Sequence, residues 1–212
     1  MALIHRFSTP GPGRAANWAA LGHGGQRGVA TIGRIRPEKG TDIFVRAMIS
    51  ALPAFPDTVA LVIGRAAPKY QAFLDDLKQM VAAAGLAERI LFVGEMPPEQ
   101  LAKTMQGLSL VCQFPRYEGY GLVPLEGMAS GAPFVATDTG YYRHFSQGGK
   151  AGRIIDMADT APATRAVSDL LANQSALDAM SADATRIAGG QFSVQNEAAG
   201  IAAVYEALWA KG

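Results

Sequence analysis

Five short, almost continuously apolar runs recur between residues 28 and 137 of the chain. Each run is five to seven residues long, as expected for strands that are buried on both faces of a parallel sheet. The runs are Gly28–Gly33, Thr58–Gly64, Ile90–Gly94, Leu108–Phe114 and Pro133–Thr137. A shorter run at Arg153–Ile155 is a sixth candidate strand. The pattern predicts a parallel sheet at the centre of the molecule.

The segments between these runs have helical spacing. Apolar residues recur at steps of three and four over residues 44–52 and 70–84. After the last strand the pattern predicts helices alone, at residues 161–171, 175–188 and 193–210. Ser193 is the expected N-cap of the last one. Strands and helices that alternate in this way predict an α/β fold, a doubly wound, mostly parallel, Rossmann-like sheet with right-handed crossovers.

The first 27 residues differ in composition from the rest of the chain, with Pro10, Pro12 and five glycines. Within them only Ala15–Leu21 has the pattern of a short helix. We therefore predict a hinge or linker remnant over residues 1–27 and a single domain over residues 28–212.

Composition and charge exclude several classes of protein. The 212 residues are 49% hydrophobic and 17% charged, which suits a sizeable core and is unlike a disordered chain. A net charge of +1 gives no electrostatic reason to expect a nucleic acid partner. The lone Cys112 excludes a disulfide framework within the chain, and no apolar run has the length of a membrane span or the form of a secretion signal. We expect a soluble, cytoplasmic protein.

The loop after the first predicted strand is a candidate anion site, because ligands of a doubly wound sheet bind outside the carboxyl ends of its strands. This loop is Gly33–Gly40. Its cations, Arg34, Arg36 and Lys39, lie within six residues. Arg presents a planar fork and Lys a compact charge, and both suit phosphate oxygens. The alternative is a solvated loop in which Glu38 pairs with its neighbours.

The fourth predicted strand leads into a second candidate loop, Phe114–Gly127. Its glycines precede a helix with Pro124 in the first turn, so backbone N–H groups should face the cleft and attract anionic oxygens. Glu118 and Glu126, with seven residues between them, could border one pocket and accept hydrogen bonds from sugar hydroxyls. The alternative is that Glu118 is solvated and Glu126 merely suits its helix.

Together, the two loops resemble the signature of glycosyltransferase family 4. The first motif is Gly-Arg-Ile-Arg-Pro-Glu-Lys-Gly at Gly33–Gly40. The second follows about eighty residues later at Glu118–Thr137 and reads Glu-Gly-Tyr-Gly-Leu-Val-Pro-Leu-Glu-Gly-Met-Ala-Ser-Gly-Ala-Pro-Phe-Val-Ala-Thr. The family has the two-domain GT-B fold and retains anomeric configuration, so the resemblance implies a C-terminal, donor-binding domain. The sequences of Gly28–Gly40 and Ile63–Ala67 also resemble those of bacterial mannosyltransferases of lipopolysaccharide core assembly.

The resemblance implies a role for each loop. Arg34 and Lys39 would hold the donor diphosphate and neutralise the charge that grows on the departing nucleotide. Glu118, the third implied catalytic residue, would contact hydroxyls of the transferred hexose, and Glu126 would contact the ribose. The other implied donor-binding residues are Gly33, Gly64, Val93, Glu95, Gly119, Tyr120, Gly121, Leu122 and Val123. No metal or cofactor is implied, since the nucleotide sugar is a substrate.

The implied reaction is transfer of a hexose, with GDP-mannose as the first donor to consider and UDP- and ADP-linked sugars left open. The acceptor would be a glycan, such as the lipopolysaccharide core, or another lipid-linked molecule, held by the family's first domain. That domain is missing, so we expect an isolated domain, a truncated reading frame or one subunit of a split enzyme, inactive alone. Peripheral attachment to the inner face of the membrane would come through that domain. Its docking face, near Tyr205 and Trp209, should be apolar, and His5–Pro10 resembles the hinge behind it.

One feature departs from the family pattern. Tyr141 and Tyr142 follow the fifth strand where many relatives carry small residues, which leaves open whether that loop touches the donor. The alternative function is a non-catalytic nucleotide-binding or regulatory module that kept the fold. An epimerase or dehydrogenase is a third alternative, but it would need a glycine fingerprint where this chain has Gly33-Arg34-Ile35-Arg36.

Overall fold

A sheet of six parallel strands, in the order β3-β2-β1-β4-β5-β6, forms the centre of the part of the chain that the structure describes. The computed structural model describes residues 13–156 and 160–209. The strands are β1 Arg27–Ile32, β2 Thr58–Ile63, β3 Ile90–Gly94, β4 Leu108–Gln113, β5 Phe134–Thr137 and β6 Gly152–Ile155. Every predicted strand is confirmed to within a residue at each end, and the predicted α/β fold class is confirmed.

Nine α-helices lie within the described ranges. They are α1 Arg14–Ala20, α2 Thr41–Ala51, α3 Gln71–Ala83, α4 Pro98–Gly107, α5 Leu122–Ala129, α6 Tyr142–Ser146, α7 Thr160–Ala172, α8 Gln174–Gln191 and α9 Val194–Trp209. The sequence pattern does not predict α4 or α6, because α6 is five residues long and α4 has a short apolar stripe among polar residues.

The helices cover both faces of the sheet, and the strands supply alternate residues to each face. Val29 belongs to the core under α2, α3, α7 and the first turns of α8, whereas its neighbour Ala30 belongs to the core under α1, α4, α5, α6 and the rest of α8. Phe44 on the first face and Phe134 on the second are fully buried. Burial of such a side chain contributes about 1.5–3 kcal/mol to stability. This two-faced burial explains why the strands are apolar without alternation.

The helix α1 lies inside the stretch for which the sequence predicts a linker, and Trp18 anchors it to the domain. This side chain is 1% exposed, and its Nε1 donates a hydrogen bond to the Gly24 carbonyl at 2.9 Å. Its ring lies so close to Gly28 that a Cβ there would be 2.0 Å from a ring carbon. From Gly13 onward the chain is therefore packed against the domain. The resemblance of His5–Pro10 to a hinge falls outside the described residues, and a division at residue 28 stays a prediction.

The last helix, α9, lies largely outside the core. Ser193 caps it as predicted, since its Oγ accepts a hydrogen bond from the Asn196 N–H at 3.2 Å. Large apolar side chains nevertheless stand exposed along it: Ile201, Val204, Tyr205, Leu208 and Trp209. The predicted apolar surface on this helix is confirmed. In the part of the chain that the structure describes, no helix has both the length and the apolar character to cross a membrane.

The two candidate loops meet where the strand order reverses. β1 and β4 are neighbours in the sheet, but the chain leaves β1 toward one face and β4 toward the other. Such a switch point opens a crevice at the carboxyl edge, which is where ligands bind to open α/β sheets.

Candidate functional site

The loop after β1 is held close to the end of β4. A short 3-10 turn, Pro37–Lys39, leads to Gly40, whose φ of 67° lies in the left-handed region. A Cβ at Gly40 would lie 1.7 Å from the carbonyl oxygen of Phe114, so only glycine permits this approach of the two loops. The side chain of Arg34 is exposed and forms no hydrogen bond or ion pair with any described residue. It is therefore free to bind an anion.

The same two loops are joined by Arg116, a residue to which the sequence analysis gives no role. Its guanidinium binds the Asp42 carboxylate through two parallel hydrogen bonds of 2.8 and 2.7 Å. Its backbone N–H donates to the Glu38 carbonyl at 2.8 Å. Burial by itself would raise the pKa of Asp42, but the paired contact with Arg116 holds that pKa below its ordinary value. The pair braces the loops and leaves Arg34 and Lys39 for other partners.

Lys39 and Glu118 meet at the mouth of the crevice. The Lys39 Nζ lies 2.7 Å from the Glu118 Oε2, and the two side chains are 23% and 18% exposed. Glu118 Oε1 accepts a hydrogen bond from the Gly119 N–H at 3.0 Å. The structure thus brings together the cation predicted for phosphate and the carboxylate predicted for the sugar, although 79 positions separate them in the sequence.

Helix α5 begins at the edge of this crevice, as predicted, with Pro124 in its first turn. Gly121 precedes it with a φ of 83°. A Cβ at Gly121 would lie 2.2 Å from a ring carbon of Tyr142. The first N–H groups of a helix have no partner within the helix, so those of Leu122 and Val123 are available to an anion.

Glu126 differs sharply from Glu118. It lies on α5 and is 8% exposed, and its carboxylate makes no hydrogen bond or ion pair with the residues described at 13–156 and 160–209. Burial alone raises the pKa of this carboxyl above its ordinary value. Because no described residue donates to it, this carboxylate can accept hydrogen bonds from a ligand hydroxyl.

The remaining predicted donor-site residues lie on the β2 and β3 side of the same edge. Gly64 follows β2, and a Cβ there would lie 1.8 Å from the Gly33 carbonyl oxygen, so this glycine allows the two strand ends to touch. Val93 is half-buried at the end of β3. Glu95 is exposed, and Arg65 lies 3.6 Å from it. The role of these residues stays a prediction.

Tyr120 and Tyr141 form an exposed stack beside the second loop. Their ring centroids are 5.3 Å apart, and both rings contact the buried Phe145 edge-on. Tyr142, by contrast, is buried beneath the loop. Among the described residues, no three His, Cys, Asp or Glu side chains are grouped so that they could hold a metal ion.

Two curated relatives are similar to most of the chain. It is 40% identical over 190 residues to the lipopolysaccharide core biosynthesis mannosyltransferase LpcC of Rhizobium leguminosarum bv. viciae, covering 90% of this chain and 53% of the relative. It is 43% identical over 182 residues to the lipopolysaccharide core biosynthesis mannosyltransferase LpsB of Rhizobium meliloti, covering 85% of this chain and 51% of the relative. The chain therefore spans about half the length of these relatives.

Solved structures agree on the architecture. The C-terminal domain of the group 1 family protein LpcC from Francisella tularensis matches with a TM-score of 0.85 and 26% identity, covering 90% of this chain and 98% of that domain. The Anabaena protein Alr3699/HepE in complex with UDP and glucose matches with a TM-score of 0.84, over 96% of this chain and 55% of that one. At 22% identity the second match shows the fold alone.

A family model confirms the coarser part of the resemblance, a glycosyltransferase domain. The model described as glycosyl transferases group 1 matches residues 18–187, which is most of the chain and includes both candidate loops. The chain belongs to the group 1 glycosyltransferase family.

Proposed function

We propose that the chain is the donor-binding half of a retaining family 4 glycosyltransferase and that it binds GDP-mannose without a metal. The observation that carries the proposal is the contact of Lys39 with Glu118, which unites the two motifs at the switch point of the sheet. The similarity to lipopolysaccharide core mannosyltransferases supports mannose as the sugar and the core as the acceptor.

The diphosphate would lie between the two loops. Arg34, which has no described partner, and Lys39 supply two positive charges, and the start of α5 adds a partial one. Hydrogen bonds between charged groups of this kind are worth about 1.5–3 kcal/mol each. Together these groups would compensate the negative charge of the diphosphate and stabilise the further charge that develops on the leaving group.

The sugar and the ribose would take the two carboxylates. When Lys39 turns to the diphosphate, Glu118 Oε2 loses its ammonium partner and can accept hydrogen bonds from hexose hydroxyls. Glu126 has no donor to lose, so the ribose diol would provide the hydrogen bonds that this buried carboxylate lacks. One donor molecule would thus use both carboxylates.

The reaction we propose is a front-face displacement. The acceptor oxygen bonds to the anomeric carbon on the face from which the phosphate oxygen departs, and that oxygen takes the acceptor proton. Positioning of the acceptor hydroxyl would come from the part of the longer relatives that this chain does not span, and positioning supplies much of the rate. The exposed apolar residues of α9 would dock that part.

Isothermal titration of the folded chain with GDP, UDP, ADP and GDP-mannose tests this function. We expect selective binding of guanosine nucleotides and a further gain from mannose. The double variant Arg34→Ala/Lys39→Ala should lose at least about 100-fold in affinity for every nucleotide. Absence of binding by the folded wild-type chain would refute a working donor site, and binding without transfer, once the acceptor half is supplied, would favour a regulatory module.

A further inference from the structure

Tyr142 carries a buried hydroxyl group directly beneath the donor loops. The side chain is 1% exposed, it opens α6, and its ring lies 6.4 Å from the ring of Phe134 in the core. Its hydroxyl lies 3.5 Å from Oε2 of Glu118 and can donate to it. Burial, together with the nearby Glu118 charge, raises the pKa of this phenol, so it keeps its proton and stays a donor.

We propose that Tyr142 is a positioning residue whose hydroxyl keeps Glu118 in place for the hexose when Lys39 leaves it. The proposal rests on the proposed function, in which Glu118 binds the sugar and Lys39 binds the diphosphate. It gives the loop after β5 a part in donor recognition although its tyrosine need not touch the donor.

Three donors surround the Glu118 carboxylate. Lys39 at 2.7 Å is the shortest contact, but it is also the group that the diphosphate would recruit. The Gly119 N–H belongs to the next residue of the same loop, so it cannot fix the carboxylate relative to the rest of the domain. Tyr142 alone comes from a different, buried element, so it is the fixed reference for the carboxylate.

The length of the Tyr142 contact fits this exchange. At 3.5 Å it is longer than an ordinary O–H···O bond of about 2.7 Å, and Lys39 contacts the same carboxylate oxygen at 2.7 Å. Once Lys39 leaves, Oε2 is free to shorten its bond to the phenol. The same ring also lies against Gly121, so Tyr142 supports both the sugar side and the phosphate side of the cradle.

The test separates the hydroxyl from the ring. Tyr142→Phe keeps the ring against Gly121 and removes only the donor, and Tyr141→Phe is the matched control on the exposed neighbour. We would titrate GDP and GDP-mannose into wild type, both variants, Glu118→Gln and Glu118→Gln/Tyr142→Phe. The readout is the ratio of the two dissociation constants, which a general loss of structure would not change selectively.

We expect Tyr142→Phe to lower the mannose preference about fivefold and to leave the GDP constant within about twofold. Tyr141→Phe should leave the mannose preference and the GDP constant unchanged. The double variant should show the same mannose preference as Glu118→Gln alone, because the hydroxyl acts through Glu118. As a check on the unaltered protein, the Tyr142 hydroxyl proton should shift in NMR spectra with GDP-mannose and less with GDP.

Other outcomes separate the two claims. If Glu118→Gln lowers the preference while Tyr142→Phe does not, or if the two effects add, the positioning role is overturned and the donor site stands. If Tyr142→Phe does not fold, an unresponsive hydroxyl proton in the wild type overturns the role equally. If wild type binds GDP and GDP-mannose alike, or neither, the proposed function fails, and the inference fails with it.

Discussion

The two carboxylates on either side of the α5 start lie in opposite environments. Glu118 is partly exposed, and donors from Lys39, Gly119 and Tyr142 surround it. Glu126 is more deeply buried and accepts nothing from the described residues. Glu118 has protein donors before any nucleotide sugar arrives, whereas Glu126 has none among the described residues. One site can therefore combine a carboxylate that must first lose an ion pair with one that can accept a ligand hydroxyl directly.

The largest effect that separates the two should come from Glu126→Gln. Loss of the acceptor charge should weaken GDP and GDP-mannose equally, by about tenfold, because hydrogen bonds to a charged group are worth about 1.5–3 kcal/mol. Titration calorimetry with both ligands measures it. A selective loss for GDP-mannose would move Glu126 to the sugar side of the site.

Glu118→Gln should have the complementary effect, about fivefold, on the sugar alone. The ratio of the GDP dissociation constant to the GDP-mannose dissociation constant should fall, while the GDP constant itself stays nearly unchanged, because GDP has no hexose for Glu118 to bind. The same calorimetry measures it, and the double variant with Glu126→Gln should show both losses. If neither substitution changes the affinity for GDP-mannose, the donor pocket lies elsewhere.

Without ligand, the two substitutions should change the free energy of unfolding in opposite directions, each by about 1 kcal/mol or less. Glu118→Gln removes a partly buried ion pair and should destabilise the chain slightly. Glu126→Gln removes a charge that burial disfavours and should stabilise the chain near neutral pH by roughly 1 kcal/mol. Urea unfolding measures both, and a destabilised Glu126→Gln would show that its carboxylate has a partner in the folded chain.

The gain from Glu126→Gln should grow with pH. Burial raises the pKa of Glu126 above its ordinary value of 4.5, so in the window above 4.5 the folded chain binds more protons than the unfolded chain. Wild-type stability therefore falls through that window, and Glu126→Gln lacks this fall. Asp42, whose pKa is lowered, contributes the opposite trend below its ordinary value of 3.8, and it does so in both proteins. A pH-independent difference in melting temperature would contradict the assignment.

The smallest effect on the donor site should come from α9. Tyr205→Ser/Trp209→Ser removes exposed aromatic surface that lies outside the described core. We expect weaker binding of a hydrophobic dye and less self-association in light scattering, with GDP affinity unchanged. A change in GDP affinity would show that α9 acts on the site itself.

The parts of the site that depend on a local sequence pattern can be predicted from the sequence. The continuous apolar strands place Lys39 and Glu118 at strand ends, and the glycines before Pro124 mark a helix start. These features are encoded within a few residues of where they act. The contact between Lys39 and Glu118 is not local, since it depends on β1 and β4 being neighbours in the sheet.

The rest depends on packing that one segment cannot report. Arg116 and Asp42 are 74 positions apart, and nothing in either loop indicates that they pair. Tyr142 belongs to a helix of five residues, which is too short to show a period, and its burial depends on Gly121 leaving room for the ring. Trp18 lies on the short predicted helix of a stretch whose prolines and glycines suggest a linker, yet its ring fills the space above Gly28.

The central claim is that donor binding moves Lys39 from Glu118 to the diphosphate while Tyr142 keeps the carboxylate in place. A crystal structure of the chain with GDP-mannose measures this directly. The account predicts that the 2.7 Å contact between Lys39 and Glu118 is broken, that Lys39 and Arg34 bind phosphate oxygens, and that the ribose lies on Glu126. A bound donor beside an intact Lys39–Glu118 pair would contradict it.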